Sequence, residues 1–235
     1  MRPYYQDDYA TLYLGDCLSI LPLLSADSVD LLLTDPPYGV SFQSGHRPVQ
    51  FEEMRGDESQ ETGLLGLAAA LRCLKRSRHL YVFGRWNLSN LPVGSSTELI
   101  WNKEKMCMGD LASPWAPQHE YIQFAVYVAS RQNRIDGGGR LAARLRKGTV
   151  LSYLRPNAVA VRHPAEKPVP LLRELIESSS CIGETVLDPF AGVGSTLVAA
   201  KMESRRSIGI EIEEQYARIS ARRLAKTPIP YMLEI

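Results

Sequence analysis

Short apolar runs alternate with helix-like segments along the 235 residues, and the alternation predicts an α/β fold: a mostly parallel sheet with helices on both faces. Three observations carry this. Val29 to Thr34 is a strongly apolar run that halts at Asp35-Pro36-Pro37, where proline cannot extend a ladder. Thr185 to Leu187 reads as a second strand, followed by a glycine turn and a helix over Gly194 to Met202. Ser207 to Ile212 reads as a third. It leads into a helix over Glu213 to Ala225, with Arg222, Arg223 and Lys226 at the end that the helix dipole favours for cations.

The other elements follow in order. Leu12 to Leu14 is a short strand ending at Gly15-Asp16. Ser41 to Gln60 is polar and reads as a long loop; its position just after Tyr38 marks Val40 to Gly56 as a lid. Thr62 to Leu74 is rich in Ala and Leu and is helical. His79 to Phe83, Glu98 to Asn102 and Tyr121 to Val128 are strands. Pro168 stands where a helix can start, and Val169 to Glu177 continues it. These make seven strands in one domain over residues 1–235. Ligands of such sheets bind beyond the carboxyl ends of the strands. That points to Asp16, Asp35 to Tyr38, Gly84, Asp188 to Thr196, and Glu211.

Composition narrows the class. Hydrophobic residues make up 45%, ordinary for a packed core and too many for disorder. No apolar run approaches the roughly 18 residues of a membrane span, and Met1 to Asp8 is too polar for a signal peptide. A soluble cytoplasmic protein is expected. Cys17, Cys73, Cys107 and Cys181 form no C-x-x-C pair, so neither a metal site nor a disulfide framework is expected.

The net charge is only +1, but its distribution is uneven. Arg131, Arg134, Arg140, Arg144, Arg146, Lys147 and Arg155 face Asp136 alone between residues 131 and 155, which leaves the rest of the chain acidic. A basic patch on an acidic body suggests a polyanion contact. The same residues could form a solvated helix face, since Arg140, Arg144 and Lys147 recur at helical spacing.

Val186 to Thr196 combines a strand end, two glycines and a helix start. Free N–H groups at the helix start, with the hydroxyls of Ser195 and Thr196, suit a carboxylate or phosphate. Glu211 ends the next strand about 20 residues on, where an acid accepts hydrogen bonds from ribose hydroxyls. Leu197 replaces the third glycine of the dinucleotide fingerprint and there is no P-loop lysine, which disfavours nicotinamide and nucleoside-triphosphate sites.

Asp35-Pro36-Pro37-Tyr38 suits chemistry on an amino group conjugated to a base ring. Such nitrogen is a poor nucleophile because its lone pair is delocalised. A carboxylate and a rigidly held carbonyl, both accepting from it, draw it toward a tetrahedral geometry. The tyrosine can stack on a base turned out of its duplex. Read alone, without the glycine segment, the tetrapeptide is better taken as a strand-ending Asp-Pro turn with a core tyrosine.

Thr34-Asp-Pro-Pro-Tyr-Gly39, His163-Pro-Ala-Glu-Lys-Pro168 and Asp188-Pro-Phe-Ala-Gly-Val-Gly-Ser-Thr196 together resemble the amino-directed (N6-adenine/N4-cytosine) DNA methyltransferases. The catalytic motif precedes the cofactor motif, as in their circularly permuted β class. The resemblance runs from about Thr11 to Ala225 and weakens between Arg131 and Arg162. It implies a Rossmann-like methyltransferase fold and S-adenosylmethionine as cofactor, without a metal. Target-amino contacts are implied at Asp35, Pro36, Pro37 and Tyr38. Cofactor contacts are implied at Asp16, Cys17, His163, Pro164, Lys167, Asp188, Phe190, Ala191, Gly192, Gly194, Ser195, Thr196 and Glu211. Trp101, Lys103, His119 and Glu120 match family strands whose role is left open between function and structure.

The target-recognition insertion is implied at about residues 130–158, with DNA contacts from Arg131, Arg134, Arg140, Arg144, Arg146 and Lys147. It is short for the family, which implies a short site or help from a second subunit. The implied partners are double-stranded DNA, a second copy of the chain and a cognate restriction endonuclease. Asp at position 35 favours adenine N6; cytosine N4 enzymes more often carry Ser there. Cytosine N4 methylation, methylation of RNA or of a protein side-chain amide, and a catalytically silent DNA-binding subunit are the alternatives. No cysteine follows a strand-ending proline, so the covalent route of cytosine-C5 enzymes is not expected.

Overall fold

The computed structural model describes residues 1–37, 60–106, 114–127, 147–156 and 166–228. The strands are β1 (Tyr5–Gln6), β2 (Ala10–Leu14), β3 (Val29–Thr34), β4 (Leu74–Phe83), β5 (Val93–Asn102), β6 (His119–Tyr127), β7 (Val150–Ser152), β8 (Thr185–Asp188) and β9 (Arg206–Glu211). They form a single sheet in the order β1-β2-β9-β8-β3-β4-β6-β5-β7. β2, β9, β8, β3 and β4 are mutually parallel, β6 runs against β4 and β5, and β7 runs with β5.

The sheet thus has nine strands among the described residues, not the expected seven. The two additions, β1 and β7, are edge strands of 2 and 3 residues, too short to show a period. β7 lies within the basic insertion, so the end of that insertion is part of the sheet, paired from Ile100 to Asn102. Leu14 on β2 is in register with Glu211 on β9, which sets the strand before Asp16 beside the one ending at Glu211.

All six residues of β3 are buried because both its faces are covered. On one face, α1 (Cys17–Ile20) and α2 (Gln60–Leu71) cover Leu32, Leu80, Val82, Leu187 and Ile210. On the other, α3 (Val169–Ser179) and α4 (Ser195–Met202) cover Leu31, Leu33, Phe83 and Val186. α5 (Glu214–Lys226) closes the β2 side, with Ala217 and Leu224 against Leu12 and Leu197. Truncating a central leucine such as Leu32 to alanine costs about 2–5 kcal/mol in such a core. The one acid inside the apolar run, Asp30, sits at the amino end of β3, away from the site. There it is answered by Lys75 at 2.7 Å, Arg78 at 3.1 Å and the Thr185 N–H at 3.1 Å.

Candidate active site

The carboxyl ends of β2, β9, β8 and β3 open onto one cavity of about 690 Å³, its open mouth included. Asp16, Cys17, Asp35, Pro37, Phe190, Gly192 and Glu211 line it. Residues separated by nearly the whole chain, Asp16 and Glu211, meet because β2 and β9 pair.

Each acid is placed by local backbone. Asp16 caps α1, its Oδ1 accepting the Leu18 N–H at 2.9 Å. Glu211 accepts the Gly192 N–H at 2.7 Å and the Glu213 N–H at 2.8 Å, one on each oxygen. Burial nevertheless pushes its carboxyl up to about 7 against those two hydrogen bonds, and the nearby Asp188 charge adds to the rise. Gly192 has φ +51, and a Cβ there would meet nothing within 4 Å. Its bare backbone forms part of the cavity wall.

The rest of the glycine segment supports the cavity from beneath rather than lining it. Gly194 (φ +77) sits where a side chain would overlap Ser220 of α5. Ser195 accepts from Arg223 Nη1 at 3.0 Å. Thr196 bonds Asp188, which also accepts from Thr34 Oγ1 at 2.8 Å and the Phe190 N–H at 3.1 Å. Burial pushes Asp188 up to about 6. The Ala191 N–H donates to the Ile210 carbonyl at 2.8 Å, and its side chain is buried. The hydroxyls of Ser195 and Thr196, expected to face a ligand, are turned inward because both residues are buried beneath helix α5 and beside Asp188. Cys17 faces the cavity, but burial pushes its thiol up to about 12, which leaves it unreactive.

Lys167 lies elsewhere than beside the glycine loop. Its Nζ is 2.6 Å from Asp35 Oδ2 and 3.2 Å from Glu120 Oε2, with the Phe83 ring 5.0 Å away. Glu120 Oε1 is in turn 2.7 Å from Lys103 Nζ. The neighbouring Glu166 binds Arg223 at 3.1 Å, and Arg223 also donates to the Val193 carbonyl at 2.8 Å. Two adjacent residues, Glu166 and Lys167, therefore reach the support of the glycine loop and Asp35.

Among the proposed DNA contacts, Lys147 pairs with Glu174 on α3 at 3.0 Å, an acid that also accepts from the Tyr153 hydroxyl. Arg131, Arg134, Arg140, Arg144 and Arg146 lie outside the described residues, as do Tyr38, His163, Pro164 and the segment read as a lid. Pro36 is described but does not line the cavity. Thr62, Ile212 and Tyr216 also line it, though no motif marks them. Thr62 and Tyr216 arrive through the packing of α2 and α5, which sequence spacing does not reveal, and Ile212 directly follows β9. Among the described residues no cluster of His, Cys, Asp and Glu is suited to a metal, and no helix is long and apolar enough to cross a membrane.

A family model described as DNA methylase matches residues 29–222. The methylase YubD of Escherichia coli K12 is 34% identical over 220 residues, spanning 90% of this chain and 88% of that protein. Two solved structures share the fold. The M1.HpyAVI–SAM complex has a TM-score of 0.65 at 19% identity, over 92% of this chain and 98% of that one. The PvuII cytosine-N4-specific DNA methyltransferase has a TM-score of 0.67 at 17% identity, over 94% of this chain and 88% of that one. With the glycine loop, the strand-ending acids and Asp35 converging on one cavity, the chain belongs to the DNA methylase family.

Proposed function

We propose that this chain transfers a methyl group from S-adenosylmethionine to the N6 amino group of adenine in double-stranded DNA, with the base flipped into the cavity. The observation that carries the reading is that Asp35 and Pro37 line the same cavity as Asp16, Gly192 and Glu211. A target amino group and a nucleoside cofactor can then meet in one space.

The lining fits the cofactor. Glu211 offers carboxylate oxygens with lone pairs to spare for ribose hydroxyls. Asp16 stands on β2's end across the β2–β9 pair, and Phe190, Ile210 and Tyr216 give apolar walls. When bound, S-adenosylmethionine supplies an electrophilic methyl group. The chain's own residues do the rest. Asp35 accepts from the target amino group and holds it in line, so the rate gain comes from positioning and electrostatics. Asp35 also takes up the proton released when the amino nitrogen gains its fourth bond. Tyr38 stacks on the extruded base and offsets part of the cost of flipping. The arginines between residues 131 and 146 hold the DNA by phosphate and base-edge contacts, and substituting them flattens the salt dependence of binding.

The test is methyl-labelled cofactor with unmethylated plasmid DNA, followed by digestion to nucleosides. Label in N6-methyladenine supports the proposal. Label in N4-methylcytosine replaces adenine with cytosine, and no label in DNA overturns transfer altogether.

A further inference from the structure

Four ionised side chains of alternating sign run through the interior from the catalytic position: Asp35, Lys167, Glu120, Lys103. They belong to four places in the chain: the end of β3, the approach to α3, β6, and the residue after β5. Both lysines are buried, at 8% and 7% exposure, and each lies near an aromatic ring: Lys167 with Phe83, Lys103 with Trp101 at 5.4 Å. Buried ammonium groups are costly unless paired. Burial alone would lower Lys167, yet Asp35 and Glu120 raise it; burial would raise Glu120, yet Lys167 and Lys103 lower it.

The contacts are unequal. Lys167 Nζ lies 2.6 Å from Asp35 Oδ2 and at the longer distance of 3.2 Å from Glu120 Oε2. The ammonium is thus aimed at Asp35, while a second carboxylate stands ready to draw it away. What restrains Glu120 is Lys103 on its other oxygen. Asp188 on β8 also interacts with Asp35 electrostatically, and it lies outside this chain of contacts.

We propose that Lys103 and Glu120 are positioning residues of the methyl-transfer site, setting through Lys167 how firmly Asp35 is held as a carboxylate. The inference rests on the assignment of Asp35 as the acceptor for the target amino group. Its signature is an effect that changes sign at each step. Without the Lys103 charge, Glu120 competes harder for Lys167, and Asp35 takes up its proton at higher pH. Without the Glu120 charge, Lys167 serves Asp35 alone, and Asp35 takes up its proton at lower pH. A network that only filled space would show no such alternation.

The experiment follows the carboxyl carbon signal of Asp35 by NMR in full-length protein labelled at aspartate, assigned by its loss in Asp35→Asn. The expected result is a titration midpoint moved up in Lys103→Met and down in Glu120→Gln, each by about half a pH unit or more. Lys103→Arg restores the wild-type midpoint and keeps the test open if Lys103→Met does not fold. Midpoints that move the same way in Lys103→Met and Glu120→Gln, or that stay in place, overturn the proposal. The titration needs no turnover. A failure of wild-type protein to methylate DNA therefore counts against the proposed function and leaves this result to stand or fall by itself.

Discussion

Thr34 donates its hydroxyl proton to Asp188 at 2.8 Å, tying the strand that presents Asp35 to the strand that presents the glycine loop. Asp188 is buried and collects three hydrogen bonds, from Thr34, Thr196 and the Phe190 N–H. Removing one donor leaves part of a buried carboxylate unanswered. Thr34→Val, nearly the same shape, is expected to cost about 1–3 kcal/mol. Urea denaturation measures it, and a loss well under that range would mean that the bond is incidental.

The two acids lifted by burial make a pH prediction. Asp188 rises from 3.8 to about 6 and Glu211 from 4.5 to about 7. A carboxyl whose value is raised in the folded state binds its proton more tightly there than in the unfolded chain. Its charged form therefore disfavours folding as pH climbs between the two values, and adds nothing further above the higher one. Between about pH 4 and about pH 7 these two groups are expected to lower the stability of the cofactor-free protein. Denaturation at stepped pH should show a shallower decline in the Asp188→Asn, Glu211→Gln double variant. An unchanged slope would dismiss the idea.

Glu211 should also govern cofactor binding. Ribose hydroxyls donate to a carboxylate, so affinity is expected to fall as pH drops through about 7, where this group takes up its proton. Glu211→Gln is expected to weaken binding by about 10- to 100-fold, the range for a charged hydrogen bond, and to flatten the pH dependence. Titration calorimetry across pH 5.5 to 8.5 tests both effects at once. A glutamine variant that keeps the wild-type pH profile would place the ribose elsewhere.

Gly66 offers a steric test. A Cβ there would lie 2.5 Å from Phe190 Cζ and 3.3 Å from Cys17 Sγ, both on the cavity wall. Alanine in a helix interior gains about 1 kcal/mol over glycine, so the overlap and the propensity oppose each other. Gly66→Ala is expected to leave the melting temperature near wild type while displacing Phe190 and weakening cofactor binding about tenfold, an effect of roughly 1.4 kcal/mol. Unaltered affinity would show that Phe190 does not shape that wall.

The strands of the central sheet were legible because they are apolar and punctuated. Val29 to Thr34 ends on two prolines, and the strands before Asp188 and Glu211 lead straight into turns. The short edge strands carry too few residues for a period, and β7 hides within an arginine-rich stretch. At the site, Asp16, Asp35, Gly192 and Glu211 were readable because each closes a strand or opens a turn. The bonds of Ser195 to Arg223 and of Thr196 to Asp188 were not legible, because a motif gives neighbours in sequence and not the direction in which a side chain faces. The same limit hid the partnership of Lys167 with Asp35, 132 positions earlier in the chain. Lys103 and Glu120 matched a known pattern, but only pairing β5 with β6 brings them together.

The central claim is that one cavity holds both cofactor and target amino group, with Asp35 acting on the second. Cofactor affinity and label transfer to DNA, measured side by side in wild type and Asp35→Ala, test it most directly. The expected result is transfer to adenine by wild type, a loss of about 1,000-fold or more in the variant, which is the scale of removing an electrostatic anchor, and cofactor affinity held within about threefold, under 1 kcal/mol. Substantial transfer by Asp35→Ala, or none by cofactor-bound wild type, would contradict it.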